Sequence, residues 1–497
     1  TGSGVYNIVG DIRAADGGIL TLDLAEGSRF EGKAVLDSGN DSQSTLTMAK
    51  NSLWTLTGNS QLNSLQNEQS VIDMTGDNKA FSTLSVETLT GNGGTIIMDI
   101  DGSQVDASDK IYVTGDFSGS HTLSLKEING LDSDPGIGQA AENTVLASVN
   151  GSGTFTADDQ EGTLYWQRYE LGQKDSAASG YTTDWYLKGI TNLNLPTTSV
   201  EAIAASGALA YHTWRDHDQL LQRLGDLRQH GREEEGVWVR VKGGKLSRSD
   251  QFEFENKYTQ YELGYDQKLK STPAYTRYAG ISFSYFDGDS SYSSGSGENK
   301  VKALNIYGTQ IGAKGHYLDL VLKYSQLDND FKVFDTSGNK ITGDYDQNGL
   351  SISAEYGRKN NLKNNWYIEP QAQLTFGRLR GTDYTTSNGI RVDQDGIDSF
   401  VGRIGFNICK DINEKTNIYL KANLMHEFGG GYNASMVDAG GTKARLDRDF
   451  DDTWFEYGLG AAVQTGKNNY FYVDVERSAG SDYKKDWQWN VGARWSF

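Results

Sequence analysis

Residues able to do metal or nucleophilic chemistry are few, and their spacing does not suit it. The 497 residues include six histidines and one cysteine. Cys409 alone excludes a disulfide framework or a thiolate metal site within one chain. His212 and His217 stand five positions apart, off the i,i+4 spacing that puts two ligands on one helix face. His121 has no second His or Cys nearby and reads as a structural strand residue. His426 shares its parity with Leu424 and Phe428, which places it on an apolar face. No P-loop, dinucleotide glycine fingerprint, HExxH or paired-cysteine zinc spacing occurs, nor a serine with glycines two residues to each side. No catalytic, cofactor-binding or metal-ligating residue is assigned. What remains is charge at alternate positions: Arg240, Lys242, Glu262, Asp266, Glu355, Arg403, Glu456, Asp474 and Arg494 are each flanked by residues of the opposite, apolar parity. That pattern allows ion pairing on one side of a sheet whose other side is apolar.

The elements that carry these charges are strands. Val237, Val239 and Val241 alternate with Trp238, Arg240 and Lys242, and Leu318, Leu320 and Leu322 oppose Asp319 and Lys323. The same reading places further strands near residues 261–266, 281–285, 301–312, 350–356, 368–376, 400–408, 418–424, 455–463 and 471–475. The terminal strand makes twelve. In it Trp487, Trp489, Val491, Ala493, Trp495 and Phe497 share one face, and Gln488, Asn490, Gly492, Arg494 and Ser496 the other. Connections after odd strands read as long and polar (286–299, 326–348, 377–398, 429–452); those after even strands read as short. An even strand number, long outer loops and short inner turns predict a transmembrane antiparallel barrel with both ends on the periplasmic side. Arg240, Lys242, Glu262, Glu355, Arg403, Glu456 and Arg494 are then lumen-facing.

Composition agrees. Gly is abundant at 59 residues, Pro scarce at 4, and there are 27 Tyr and 10 Trp. No apolar run is long enough for a membrane helix, which does not argue against a barrel, since only every second barrel residue faces lipid. The formal charge of −20 is uneven: residues 1–190 hold 10 Lys+Arg and 26 Asp+Glu, a net of −16. Such a segment is a poor partner for nucleic acid or anionic membrane.

Residues 1–80 are short strand runs between Gly/Asn/Asp/Ser turns, as in Gly18–Leu24 and Leu53–Asn59. This fits rungs of a parallel β-helix, with a β-sandwich as the alternative. Residues 81–190 are denser in β-branched and aromatic residues and close on Trp185-Tyr186-Leu187. Residues 191–235 change period. After Pro196, Thr198-Ser199-Val200-Glu201 is a capping-box sequence. A single helix over 199–230 is expected, about 45 Å long. Its small residues (Ala202, Ala205, Gly207) and its later Trp214, Asp216, Arg223, Asp226 and Arg228 suit a plug inside a lumen.

Several stretches carry a family resemblance. Glu235–Arg240, Glu369–Leu374, Val392–Gly396, Trp454–Gly460 and Val473–Ser478 resemble the translocator sequence of type V autotransporters. Phe81–Gly91, Gly94–Ile100, Asp109–Leu125 and Thr183–Leu187 resemble the C-terminal passenger segment of pertactin-like members, the stable cap called the autochaperone. The end of the chain resembles the final strand of outer-membrane barrels, whose aromatic terminus the barrel-assembly machinery reads. The resemblance implies an all-β protein: a β-helix passenger end, a pore helix and a twelve-stranded barrel over 236–497. It implies an outer-membrane location, lipid, assembly-machinery and periplasmic-chaperone partners, and a passenger displayed at the surface for adhesion to a host or bacterial ligand. The start at Thr1-Gly2-Ser3-Gly4, without Met and inside a Gly/polar strand pattern, leads to the expectation of a C-terminal piece of a longer precursor. Some relatives self-cleave between paired Asn residues in the linker, and His212–Glu235 contains no Asn. Two alternatives stay open: an enzymatic passenger upstream, and a porin-like channel.

Overall fold

The computed structural model describes all residues except 1–3, 38–40, 77–79, 129–140, 217–218, 221–222, 224–234 and 467. It contains two compact units, one built on Thr1–Thr197 and one on Thr198–Val437 with Lys443–Phe497.

The first unit is a parallel β-solenoid. Its strands form a seven-stranded and a nine-stranded sheet, with a two-stranded sheet at the first rungs. In-register pairing stacks like on like, since a rung buries its apolar residues only against the next rung. One ladder runs Leu22, Leu46, Leu65, Leu89 and Phe117. The facing ladder runs Phe30, Trp54, Ile72, Ile96, Leu123 and Ala157. Parallel rungs continue to the strand Thr154–Ala157. The strand Thr183–Pro196 then pairs antiparallel with Val145–Gly151, and Tyr165–Asp175 and Asp159–Glu161 add to it. An antiparallel end of this kind covers the sheet edge that the last rung would otherwise leave unpaired.

The second unit is a closed antiparallel barrel of twelve strands. In chain order they are Gly236–Arg248, Phe254–Ser271, Tyr275–Tyr292, Gly295–Gly312, His316–Phe334, Lys340–Arg358, Trp366–Leu379, Ile397–Asn413, Thr416–Glu427, Asp452–Gln464, Asn469–Ala479 and Tyr483–Ser496. Each pairs with its neighbours in sequence, and the first closes on the last from Gly236↔Ser496 to Arg248↔Tyr483. Its polarity is inverted relative to a water-soluble sheet. Ile404 is 62% exposed while the adjacent Arg403 is 3% exposed. Leu263, Leu320, Ile352 and Leu420 face out in the same belt. An outward apolar band over a polar interior is the arrangement a bilayer demands of strands. Among the described residues no helix is long and apolar enough to cross a membrane.

The predicted outer loops need correction. Residues 286–292 and 295–299 continue the third and fourth strands, and 326–334 and 340–348 continue the fifth and sixth. Beyond the lipid belt the faces exchange character: Phe286, Leu327, Phe331, Val333, Ile341 and Tyr345 point inward and are buried, while Asp287, Asp289, Asp328 and Asp344 face water. Polar residues there mark a change of solvent, not the end of a strand. The stretches 377–398 and 429–452 are not loops either. Thr382–Thr385, Arg391–Gln394, Gly431–Val437 and Lys443–Asp449 form a four-stranded sheet. The strict length alternation also fails at the ends, where Arg248 to Phe254 and Ala479 to Tyr483 are short outer connections.

Candidate functional site: the occupied barrel lumen

The helix Thr198–Arg215 begins where Pro196 ends the preceding strand, with Glu201 in its first turn. It is 18 residues, about 27 Å at 1.5 Å per residue. It lies inside the barrel, and Ala202, Ala205, Gly207 and Trp214 are all buried. The expected continuous helix to residue 230 is not formed. It stops at Asp216, with helical geometry again at Leu220 and Arg223. The cause lies in the wall. Lys323 Nζ donates to the carbonyls of Trp214 (3.3 Å) and Asp216 (3.1 Å). Asp216 itself is drawn to Lys242 at 3.0 Å and Lys485 at 2.9 Å. Asp226 and Arg228 lie outside the described residues, as does His217.

All seven predicted lumen residues point inward and are buried, Arg240, Lys242, Glu262, Glu355, Arg403, Glu456 and Arg494. They form pairs: Arg240 with Glu262, Arg494 with Asp266, and Arg403 with Glu355 at 3.3 Å. Lys485 joins Glu456 at 3.2 Å and Glu476 at 3.1 Å, and Lys421 joins Asp474 and Glu476, each at 2.6 Å. The segment after the helix enters this network at several levels. Arg223 makes a two-pronged contact to Asp319 at 2.9 and 2.7 Å, and its guanidinium stacks over Tyr307 at 4.4 Å. The Leu220 amide donates to Glu355, and Tyr472 Oη donates to the Arg223 carbonyl, both at 2.9 Å.

The outer half of the helix is held differently. Ser206 and Tyr345 share a 2.8 Å hydroxyl contact, and Asn388 Nδ2 donates to Ser199 Oγ at 2.9 Å. Gly207 faces the Tyr432 ring so closely that a Cβ there would sit 2.6 Å from its hydroxyl. Phe450 stacks on Tyr211 at 5.2 Å, and Tyr483 on His212 at 4.1 Å. Glu427, fully buried, accepts from Tyr211 Oη and Ser399 Oγ at 2.6 Å, from the Phe400 amide at 2.7 Å, and lies 3.6 Å from Arg215. Strand parity alone does not single out Glu427 and Lys323 as site residues. Lys323 had the inward parity, and Glu427 extends the Lys421–Asn423 parity to the strand's outer end.

The remaining singled-out residues lie elsewhere. Trp487, Val491, Trp495 and Phe497 face outward and are exposed; Trp489 is half-buried on the same face, and Ala493, the smallest of the set, is buried among its neighbours. His426 is on the outward face, bonded through Nδ1 to Thr453 Oγ1 at 2.7 Å and edge-on to Phe428. His121 is buried in the solenoid between Phe117 and Phe155. Among the described residues no cluster of His, Cys, Asp or Glu has metal-site geometry.

Comparison with known proteins agrees with this geometry. Residues 237–476 match the autotransporter beta-domain family, and residues 62–189 match the pertactin family. The chain is 28% identical to a probable autotransporter, YcgV of Escherichia coli, over 97% of this chain and 53% of that protein. It is 28% identical to the pertactin autotransporter of Bordetella bronchiseptica, over 98% of this chain and 56% of the relative. The BrkA autotransporter of Bordetella pertussis is 26% identical, over 96% and 46%. Other relatives are named serine protease autotransporters. The chain thus spans about half the length of the curated relatives it matches. A lipid-belted barrel of twelve strands, filled by a helix that follows a pertactin-like solenoid, makes this chain a member of the autotransporter family, set in the Gram-negative outer membrane with its passenger at the cell surface.

Proposed function

We propose that this chain secretes and displays its own passenger, and that the helix left in the lumen afterwards seals the pore. The observation that carries the reading is the set of ion pairs from the segment just after the helix to the wall, half-buried Asp216 to Lys242 and Lys485 and buried Arg223 to Asp319, inside the barrel. Two charges taken out of water need such partners, and removing one partner is costly. A helix held this way is a seated plug. Outward Trp487, Trp495 and Phe497 form the surface offered to the assembly machinery, and periplasmic chaperones carry the chain to it. The passenger binds a host or bacterial surface ligand, and its segment 81–190 is the stable cap. Pertactin-like sequence over 62–189 supports a binding passenger. The protease names among other relatives support the alternative, an enzymatic activity carried by sequence beyond this chain.

Planar-bilayer recording of the full chain and of a form lacking residues 199–228 tests the plug. The full chain should be nearly closed and the deletion open, with both barrels folded by heat-modifiable migration. Equal conductance would refute it.

A further inference from the structure

We propose that Gly349 and Gly377 form a seat for the indole of Trp214 that fixes the helix at one axial position in the lumen. This rests on the plug reading and names the wall residues that position the plug. Trp214 is in the last turn of the helix and 1% exposed. A Cβ on Gly349 would stand 2.0 Å from its Nε1 and 2.5 Å from Cδ1; a Cβ on Gly377 would stand 2.8 Å from its Cη2, but also 2.7 Å from Ser351 Cβ and 2.9 Å from the Leu350 carbonyl, so Gly349 is the position that the indole alone keeps free. Contacts that short are not tolerated, so at Gly349 the indole fills the space a side chain would otherwise occupy, and at Gly377 it shares a closed space with the adjoining strand.

Backbone conformation does not demand these glycines. Neither has positive φ, and both lie in regular ladders, Gly349↔Leu379 and Ser351↔Gly377. Glycine weakens a strand interior unless something must approach closely, and here it is the indole. The inward positions next to Gly349 and Gly377 carry side chains, Gln347, Ser351, Ser353 and Glu355 on one strand and Gln371, Gln373 and Thr375 on the other, and the two more distant inward glycines, Gly343 and Gly357, are already covered by Phe331 and Tyr317. Within a helix turn of Trp214 the gap therefore exists at one level only. Sliding the helix by one turn, about 5.4 Å, would drive Trp214 against those side chains. Lys323 marks the same level independently, since its ammonium holds the Trp214 and Asp216 carbonyls.

The test uses the full chain with Gly349→Ala, Gly377→Ala, Trp214→Ala, and the pair Gly349→Ala with Trp214→Ala. Folding of each barrel is checked by heat-modifiable migration. Hydrogen exchange of amides 199–215 reads the position of the helix directly, and bilayer conductance reads the seal. Gly349→Ala should lose helix protection by at least tenfold in exchange rate and raise conductance severalfold. The double variant should recover protection towards that of Trp214→Ala alone, because the collision is gone. Unchanged protection in both glycine variants would overturn the proposal. So would a double variant as unprotected as Gly349→Ala, since the damage would then lie in the wall. Helix protection reports the seat even if conductance shows that the helix does not seal the pore, so the two readings fail separately.

Discussion

Replacing His121 with Phe should flatten the acid sensitivity of the solenoid. His121 is 2% exposed, and neither ring nitrogen has a hydrogen-bond partner. Its ring lies 5.9 Å from Phe117 and 6.2 Å from Phe155, inside the apolar ladder. Burial pushes its pKa down from the ordinary 6.5 to about 4, against a small opposing pull from Glu68. The folded state therefore keeps the ring neutral while the unfolded chain protonates it. Stability is full above about pH 6.5 and is lost as pH falls towards about 4; the gap corresponds to about 3 kcal/mol. Asp109 acts in the opposite sense, because burial raises its carboxyl to about 7, so stability from that group falls as pH rises. Comparing wild type with His121→Phe cancels Asp109 and every other shared group. Pulse proteolysis of the solenoid in the full chain, in urea at pH 7.5 and pH 4.5, gives the two midpoints. Wild type should lose about 2–3 kcal/mol more than the variant on acidification. Equal losses would mean that His121 is hydrated or paired in solution, and the burial argument would fall.

Three further outcomes are expected. Trp495→Ser with Phe497→Ser removes two outward aromatics from the last strand and should cut the heat-modifiable barrel recovered from outer membranes; undiminished recovery would dismiss an assembly role. Limited proteolysis of displayed protein should leave a fragment from residues 81–190, where the ladders end against antiparallel strands; longer survival of 1–80 would contradict the cap. Glu427→Gln leaves Arg215 buried without a full counter-charge, which should weaken helix seating by roughly 3–5 kcal/mol and show as faster amide exchange in 199–215; unchanged exchange would assign Glu427 to the wall alone.

How far the sequence could be read depends on the distance over which each feature is decided. Strand parity is local. Val239 against Arg240, or Leu320 against Asp319, declares its face within three residues, so the twelve strands and the seven lumen charges could be read directly. The same rule misleads above the lipid belt, because it assumes that the outward face stays apolar. Leu327 and Phe331 there point inward while Asp328 and Lys332 face water, and a reading keyed to apolar-out takes the inversion for a loop. The solenoid was legible in style, and its ladders follow from a parallel register that only the fold sets.

The helix break shows what local pattern cannot supply. Nothing between Ala202 and Arg228 is a helix breaker except Gly207 and Gly225, and Gly207 sits inside the helix. The chain stops being helical at Asp216 because Lys242, Lys323 and Lys485 meet it there. Those three lysines come from the first, fifth and twelfth strands, up to 269 residues away. Only a closed barrel brings them to one level. Propensity favours a continuous helix by a few tenths of a kcal/mol per residue, whereas the buried ammonium groups of Lys242 and Lys485 would each cost more than that without the half-buried Asp216 carboxylate between them. The tertiary term is the larger, so the wall decides where the helix ends. The position of the break and the seat of the helix are therefore properties of the closed barrel and not of the linker alone.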